Sequence, residues 1–110
     1  MRDDERKDTW DAFRDAVNMA PGELEKWLGS QESRAAGQHK DGGESTGHAS
    51  GRRILDILRM KKGDLSDDDY QHMRKVVGYV QRHLAQRPSG DVRDTRWRHS
   101  LMNWGHDPLK

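Results

Sequence analysis

Cysteine is absent from this chain of 110 residues, which excludes a disulfide framework and any thiolate metal site. Long apolar runs are missing too. No stretch approaches the ~18 apolar residues of a membrane span. The opening Met1-Arg2-Asp3-Asp4-Glu5-Arg6 holds no apolar segment of the kind that directs export. A cytoplasmic location without a membrane partner is the expectation. Core formers are also scarce: Leu, Ile, Val and Phe together number 16 of 110, below the ~20% that signals disorder when net charge is high. The net charge is only +1, so that condition is not met, and four Trp and five Met add apolar volume. The expectation is a thin-cored folded domain over 8–110, preceded by a disordered, charged stretch over 1–7.

Hairpin signals are missing, as is any internal repeat, and although "VVGYV" has strand propensity, the helical periodicity around it wins. Trp10, Phe13 and Val17 fall on one face of a helix expected from Asp8 or Thr9 to about Asn18. Pro21 suits the first position of a second helix with Leu24, Trp27 and Leu28 inward and Gly29 after its end. Ser30 caps a short turn through Ala36. After a break over 37–47, a helix is expected from His48 to Lys62, with Ile54, Leu55, Ile57 and Leu58 on one side. "LSDDDY" is the strongest local signal. Ser66 and Asp69 form an aspartate version of the capping box, with Leu65 and Tyr70 placed as a hydrophobic staple. Tyr70, Met73, Val77, Val80 and Leu84 then step along one face as far as Gln86. A last helix from Asp94 to Gly105 carries Trp97, Leu101 and Trp104. The class is all-α, a single small domain of four to six helices interrupted by one glycine-rich loop.

That loop, "QHKDGGESTGHASGRRILDIL", invites three chemical readings. Gly42 and Gly47 have P-loop spacing, but His48 and Ala49 stand where Lys and Ser or Thr are needed, and no strand precedes. A triad of Asp41, His48 and Ser50 lacks the nucleophile-elbow spacing. His72 and His83 share a helix face, yet eleven residues at 1.5 Å each put them about 16 Å apart, too far to share an ion. Neither a metal nor a cofactor is expected. Two readings stay open: an anion held at Gly47, His48, Ser50 and Gly51 where the helix opens, or a cap by Ser45 or Thr46 with the glycines making tight turns.

Charge is unevenly spread. Residues 1–51 carry 7 basic and 11 acidic side chains, and residues 52–110 carry 13 and 8. A basic half of this kind either faces a polyanion or pairs with the acidic half. On a 100° wheel, Lys75, Tyr79 and Arg82 fall opposite the Tyr70 stripe, with His72 and His83 at the border. Arg52, Arg53 and Arg59 lie on the preceding helix, Arg87 follows this one, and Arg96 and Arg98 flank Trp97. These nine residues are of the types that contact phosphates, and the expected patch gathers cations from two consecutive helices.

"DAVNMAPGELEKWL", "ESTGHASGRRILDIL", "DYQHMRKVVGYVQRHLAQRP" and "DTRWRHSLMNWGHDP" together resemble the domain of unknown function family 3140. Some members of that family are labelled DNA-binding protein. The resemblance implies a DNA partner and one domain, and it carries no catalytic residues. The function expected is non-enzymatic DNA binding through phosphate contacts with low sequence specificity, in the cytoplasm and associated with the nucleoid. The rival is a helical protein-interaction or homodimerisation module.

Overall fold

The computed structural model describes residues 1–36 and 43–110. Among them lie six α-helices, one 3-10 turn and no strand, so the all-α class holds. They are α1 (Asp3–Ala16), α2 (Pro21–Leu28), α3 (Gln31–Ala35), α4 (Thr46–Arg59), α5 (Asp67–Leu84) and α6 (Arg96–Asn103), with the turn Lys62–Asp64 between α4 and α5. The break expected over 37–47 falls mostly outside the described residues, and so do His39, Asp41 and Gly42. No helix among the described residues is long and apolar enough to cross a membrane.

Four helices begin on a hydroxyl cap. The Oγ of Ser30, Ser45 and Ser66 and the Oγ1 of Thr95 accept from the N–H three residues on, at 3.1, 3.0, 3.2 and 3.2 Å. Each satisfies one orphan donor, worth about 1 kcal/mol. The box at α5 is reciprocal, because the Ser66 N–H donates to Asp69 Oδ2 at 2.9 Å. Leu65 and Tyr70 are both buried beside it. Gly105, at φ +82°, ends the last helical segment in the left-handed region that glycine adopts freely.

Two boundaries differ from the sequence reading. Where 1–7 was expected to be disordered, α1 already runs from Asp3. Asp3, Asp4 and Glu5 suit the positive end of its dipole. Arg6 reaches Asp67 at 2.5 Å and lies 5.0 Å over the Tyr70 ring, so a second helix holds this turn. Helix α4 covers 46–59 rather than 48–62, and Ser45, one of the two hydroxyls expected to cap it, stands at its N-terminus.

Helix α1 packs chiefly on α5, and α2 on α4, while short α6 touches α2, α3, α4 and α5. Phe13, Leu24, Ile54, Met73, Val76 and Leu101 are fully buried in the shared core. Asn103 ties the hub together. Its Oδ1 accepts from Trp27 Nε1 at 2.8 Å and from Ser33 Oγ at 2.5 Å, and its Nδ2 donates to the Ser33 carbonyl at 2.9 Å. The stripe expected on α5 is corrected at two places: Val76 is buried, whereas Leu84 is exposed. One stripe was assumed, but α5 has partners on two sides.

Candidate functional site

The second packed side of α5, half-buried, is the face expected to carry the basic patch. His72, Tyr79 and His83 interleave there with Trp104 and Trp97. Rings follow in the order His72, Trp104, Tyr79, His83, Trp97, with centroid separations of 6.3, 4.1, 5.1 and 6.3 Å. All four pairs lie within 16° of parallel. Steps of seven on both elements, 72 to 79 and 97 to 104, bring the rings into register. Stacked aromatic pairs contribute about 0.5–1.5 kcal/mol beyond their buried area, so the ladder fastens α6 to α5.

Hydrogen bonds hold the ladder at its edges. Trp97 Nε1 donates to the His83 carbonyl at 2.6 Å, and Ser50 Oγ lies 3.0 Å from His72 Nε2. Burial pushes the Tyr79 hydroxyl up from its ordinary pKa, against its bond with Ser100. Burial pushes both imidazoles down, His72 with help from the nearby Arg53 and Lys75 charges. The His83 Nε2 is buried without a partner among the described residues.

Along this ladder runs an open groove of about 910 Å³. Tyr79, His83, Trp97 and Trp104 supply its aromatic lining, and Thr46 and Gly47, from the first turn of α4, form one wall. Lys75, Arg82 and Arg96 put three cationic side chains into it. Lys75 and Arg82 make no ion pair among the described residues. Just beyond, the Arg87 guanidinium sits 5.5 Å over the Trp97 ring, a cation–π contact.

The nine expected nucleic-acid residues therefore divide. The groove brings together Lys75, Tyr79, Arg82 and Arg96, with Arg87 beside it at Trp97. The other four hold carboxylates. Arg52 grips Glu44 through two bonds, at 2.8 and 2.5 Å. Arg59 holds Glu25 at 2.9 Å, Arg53 approaches Asp69 at 3.5 Å, and Arg98 takes Asp107 at 3.1 and 3.0 Å. The pairing lowers the Glu44 pKa, first through Arg52 and then through His48, and that of Glu25 through Arg59. Cations were expected to gather from the helices now numbered α4 and α5. The groove instead joins α5 to α6, because the α4 arginines turn toward acidic neighbours.

The suggested anion loop is mostly helix, and its members face the protein. A Cβ on Gly51 would lie 2.4 Å from the Asn103 carbonyl oxygen and 2.6 Å from Leu28 Cδ2. One on Gly47 would lie 3.1 Å from Trp104 Nε1. These glycines let α4 approach α6 closely. His48 has Nε2 2.7 Å from the Leu28 carbonyl oxygen and Nδ1 on the Glu44 carboxylate. The hydrolytic triad is not assembled either: the imidazole at Ser50 is His72, and Asp41 lies outside the described residues. Among the described residues no cluster of three or more His, Asp or Glu is placed to hold a metal ion.

Comparison with known families matches residues 12–102 to a family described as "Protein of unknown function (DUF3140)". The match covers most of the chain, so the protein belongs to that family. No curated protein and no solved structure matches it.

Proposed function

We propose that this DUF3140 protein binds DNA without catalysing a reaction, through phosphates held by the cations of the α5–α6 groove. What carries the reading is the contrast among its basic side chains. Arg52, Arg53, Arg59 and Arg98 are committed to carboxylates, whereas Lys75, Arg82 and Arg87 have none among the described residues. A cation already paired gains little from a phosphate. One lining a concave, low-dielectric surface gains more, because field lines concentrate there. Arg96, projecting from the other wall, faces the same space.

Phosphate contact positions a protein on DNA but does not select a sequence. The amide that lines the groove, Asn103, is already taken up by Trp27 and Ser33, which supports low sequence specificity. A cytoplasmic, nucleoid-associated location accompanies this proposal.

Salt titration tests it. Three or four neutralised phosphates give a slope of about −3 in log affinity against log salt. Affinity should then fall roughly fifty- to a hundredfold between about 50 and 200 mM. A slope near zero, with binding retained, would mean that apolar contact rather than charge holds the partner and would favour the protein-interaction reading.

A further inference from the structure

We infer that His83 belongs to the phosphate site of the groove, and that binding there draws a proton onto its imidazole. This rests on the DNA-binding proposal above and adds to it a residue whose charge changes. His83 lines the groove next to Arg82 on α5, with Arg96 and Trp97 of α6 in the same lining. Its ring is stacked between those of Tyr79 and Trp97, at 5.1 and 6.3 Å, so it acts through charge rather than by offering a face. Its Nε2 is buried and has no partner among the described residues, and a buried polar atom left in that state calls for an explanation.

The surroundings keep this imidazole neutral in the free protein. Lys75 and Arg82 come from α5 and Arg96 from α6, with Arg87 just beyond over Trp97. Thr46 and Gly47 of α4 bring no charge, and the Tyr79 hydroxyl, pushed up by burial, stays neutral. No Asp or Glu is among the described lining residues. An imidazolium here would be desolvated among like charges, and burial holds the His83 pKa down. A phosphate reverses the balance, because an opposite charge within about 4–6 Å favours the charged form and moves a pKa by about 1–3 units. Lys and Arg stay charged throughout the neutral range, so among the lining residues the imidazole is the group that responds to pH. The complex has the higher histidine pKa. The gain in affinity is therefore complete below the pKa of the free protein and fades as pH rises through that of the complex. With the free value under about 6.5, the window runs from about pH 8 down to about 5.5.

The test follows affinity for a labelled random-sequence duplex by fluorescence anisotropy across that window, at one salt concentration, with a thermal melt at each pH to show that the protein is folded. Parental affinity should rise about tenfold from the alkaline to the acid end, the equivalent of one pKa unit. In His83→Gln, whose amide does not titrate, affinity should vary by less than about twofold over the same range, whatever its level at pH 8. A flat parental profile, or a folded variant that keeps the parental rise, overturns the inference and leaves the DNA proposal standing. Titration calorimetry of the parent in two buffers of different ionisation enthalpy counts the protons without any variant. Net uptake near pH 6.5 supports the inference, and zero uptake or release overturns it. If the duplex is bound at no pH, both proposals fall together.

Discussion

Replacing Gly51 with alanine probes the closest approach between helices that position the groove. In an exposed helix this change stabilises by about 1 kcal/mol, because alanine is the better helix former. Here the added methyl would meet the Asn103 carbonyl oxygen at 2.4 Å and Leu28 at 2.6 Å. Leu28 can rotate; a backbone carbonyl cannot. To restore ordinary contact, α4 and α6 must separate by about 1 Å, which also disturbs the Asn103 bonds to Trp27 and Ser33. Overpacking of this kind costs about 1–3 kcal/mol and sometimes more. After the helix-propensity gain the expected net loss is about 1 kcal/mol, a fall in Tm of roughly 4 °C for a chain of this length. Thermal melts followed by circular dichroism provide the assay. Gly22→Ala is the control, since no atom lies within 4 Å of the methyl it would add, and its Tm should stay level or rise slightly. If Gly51→Ala raises Tm as much as the control does, the glycine is not a helix-contact residue and the packing argument is wrong.

Asn103→Ala leaves the Trp27 indole N–H and the Ser33 hydroxyl and carbonyl without their partner, so a loss of about 1–3 kcal/mol per orphaned buried group should appear in urea denaturation. Acid should destabilise the fold in two stages. Burial holds His72 and His83 below the ordinary histidine value, so below about pH 6.5 the unfolded chain takes up protons that the folded chain refuses. Stability is therefore flat above that point and declines beneath it, and Tm measured from about pH 8 to 5 checks this, with a flat profile excluding it. At lower pH, Asp69, whose carboxyl is held down by the Ser66 N–H and hydroxyl and by Arg53, contributes stability present above about pH 4 and lost as it protonates. Arg52→Ala with Arg59→Ala removes two surface ion pairs of modest worth, and DNA affinity should stay within about threefold of the parent because those cations are already neutralised.

Local chemistry was legible in the sequence. The Ser66–Asp69 box, the Pro21 start and the hydroxyl at Ser30 each depend on residues within one turn, so a short window contains cause and effect. Trp97, Leu101 and Trp104 were readable as core for the same reason. The groove was not, because a helical wheel assigns one buried stripe to a helix, whereas α5 is clasped from two sides. A signal did exist: His72 and Tyr79 are spaced by seven, as are Trp97 and Trp104, and matched spacing on neighbouring helices permits interleaving. Which arginines stay unpaired could not be read at all. Arg59 meets Glu25 across 34 positions and Arg74 approaches Glu5 across 69, distances over which only the folded backbone decides who faces whom. The charged N-terminal stretch misled for a related reason, since its order comes from Asp67 and Tyr70 on α5.

The most direct measurement is DNA affinity of the Lys75→Glu, Arg82→Glu double variant beside the parent, at about 50 mM salt where phosphate contacts count most. Both side chains are exposed and make no ion pair among the described residues, so the thermal melt should hardly move. The account predicts that binding disappears, or that what remains has a salt slope shallower by about two. Parental affinity and slope in a folded double variant would contradict it.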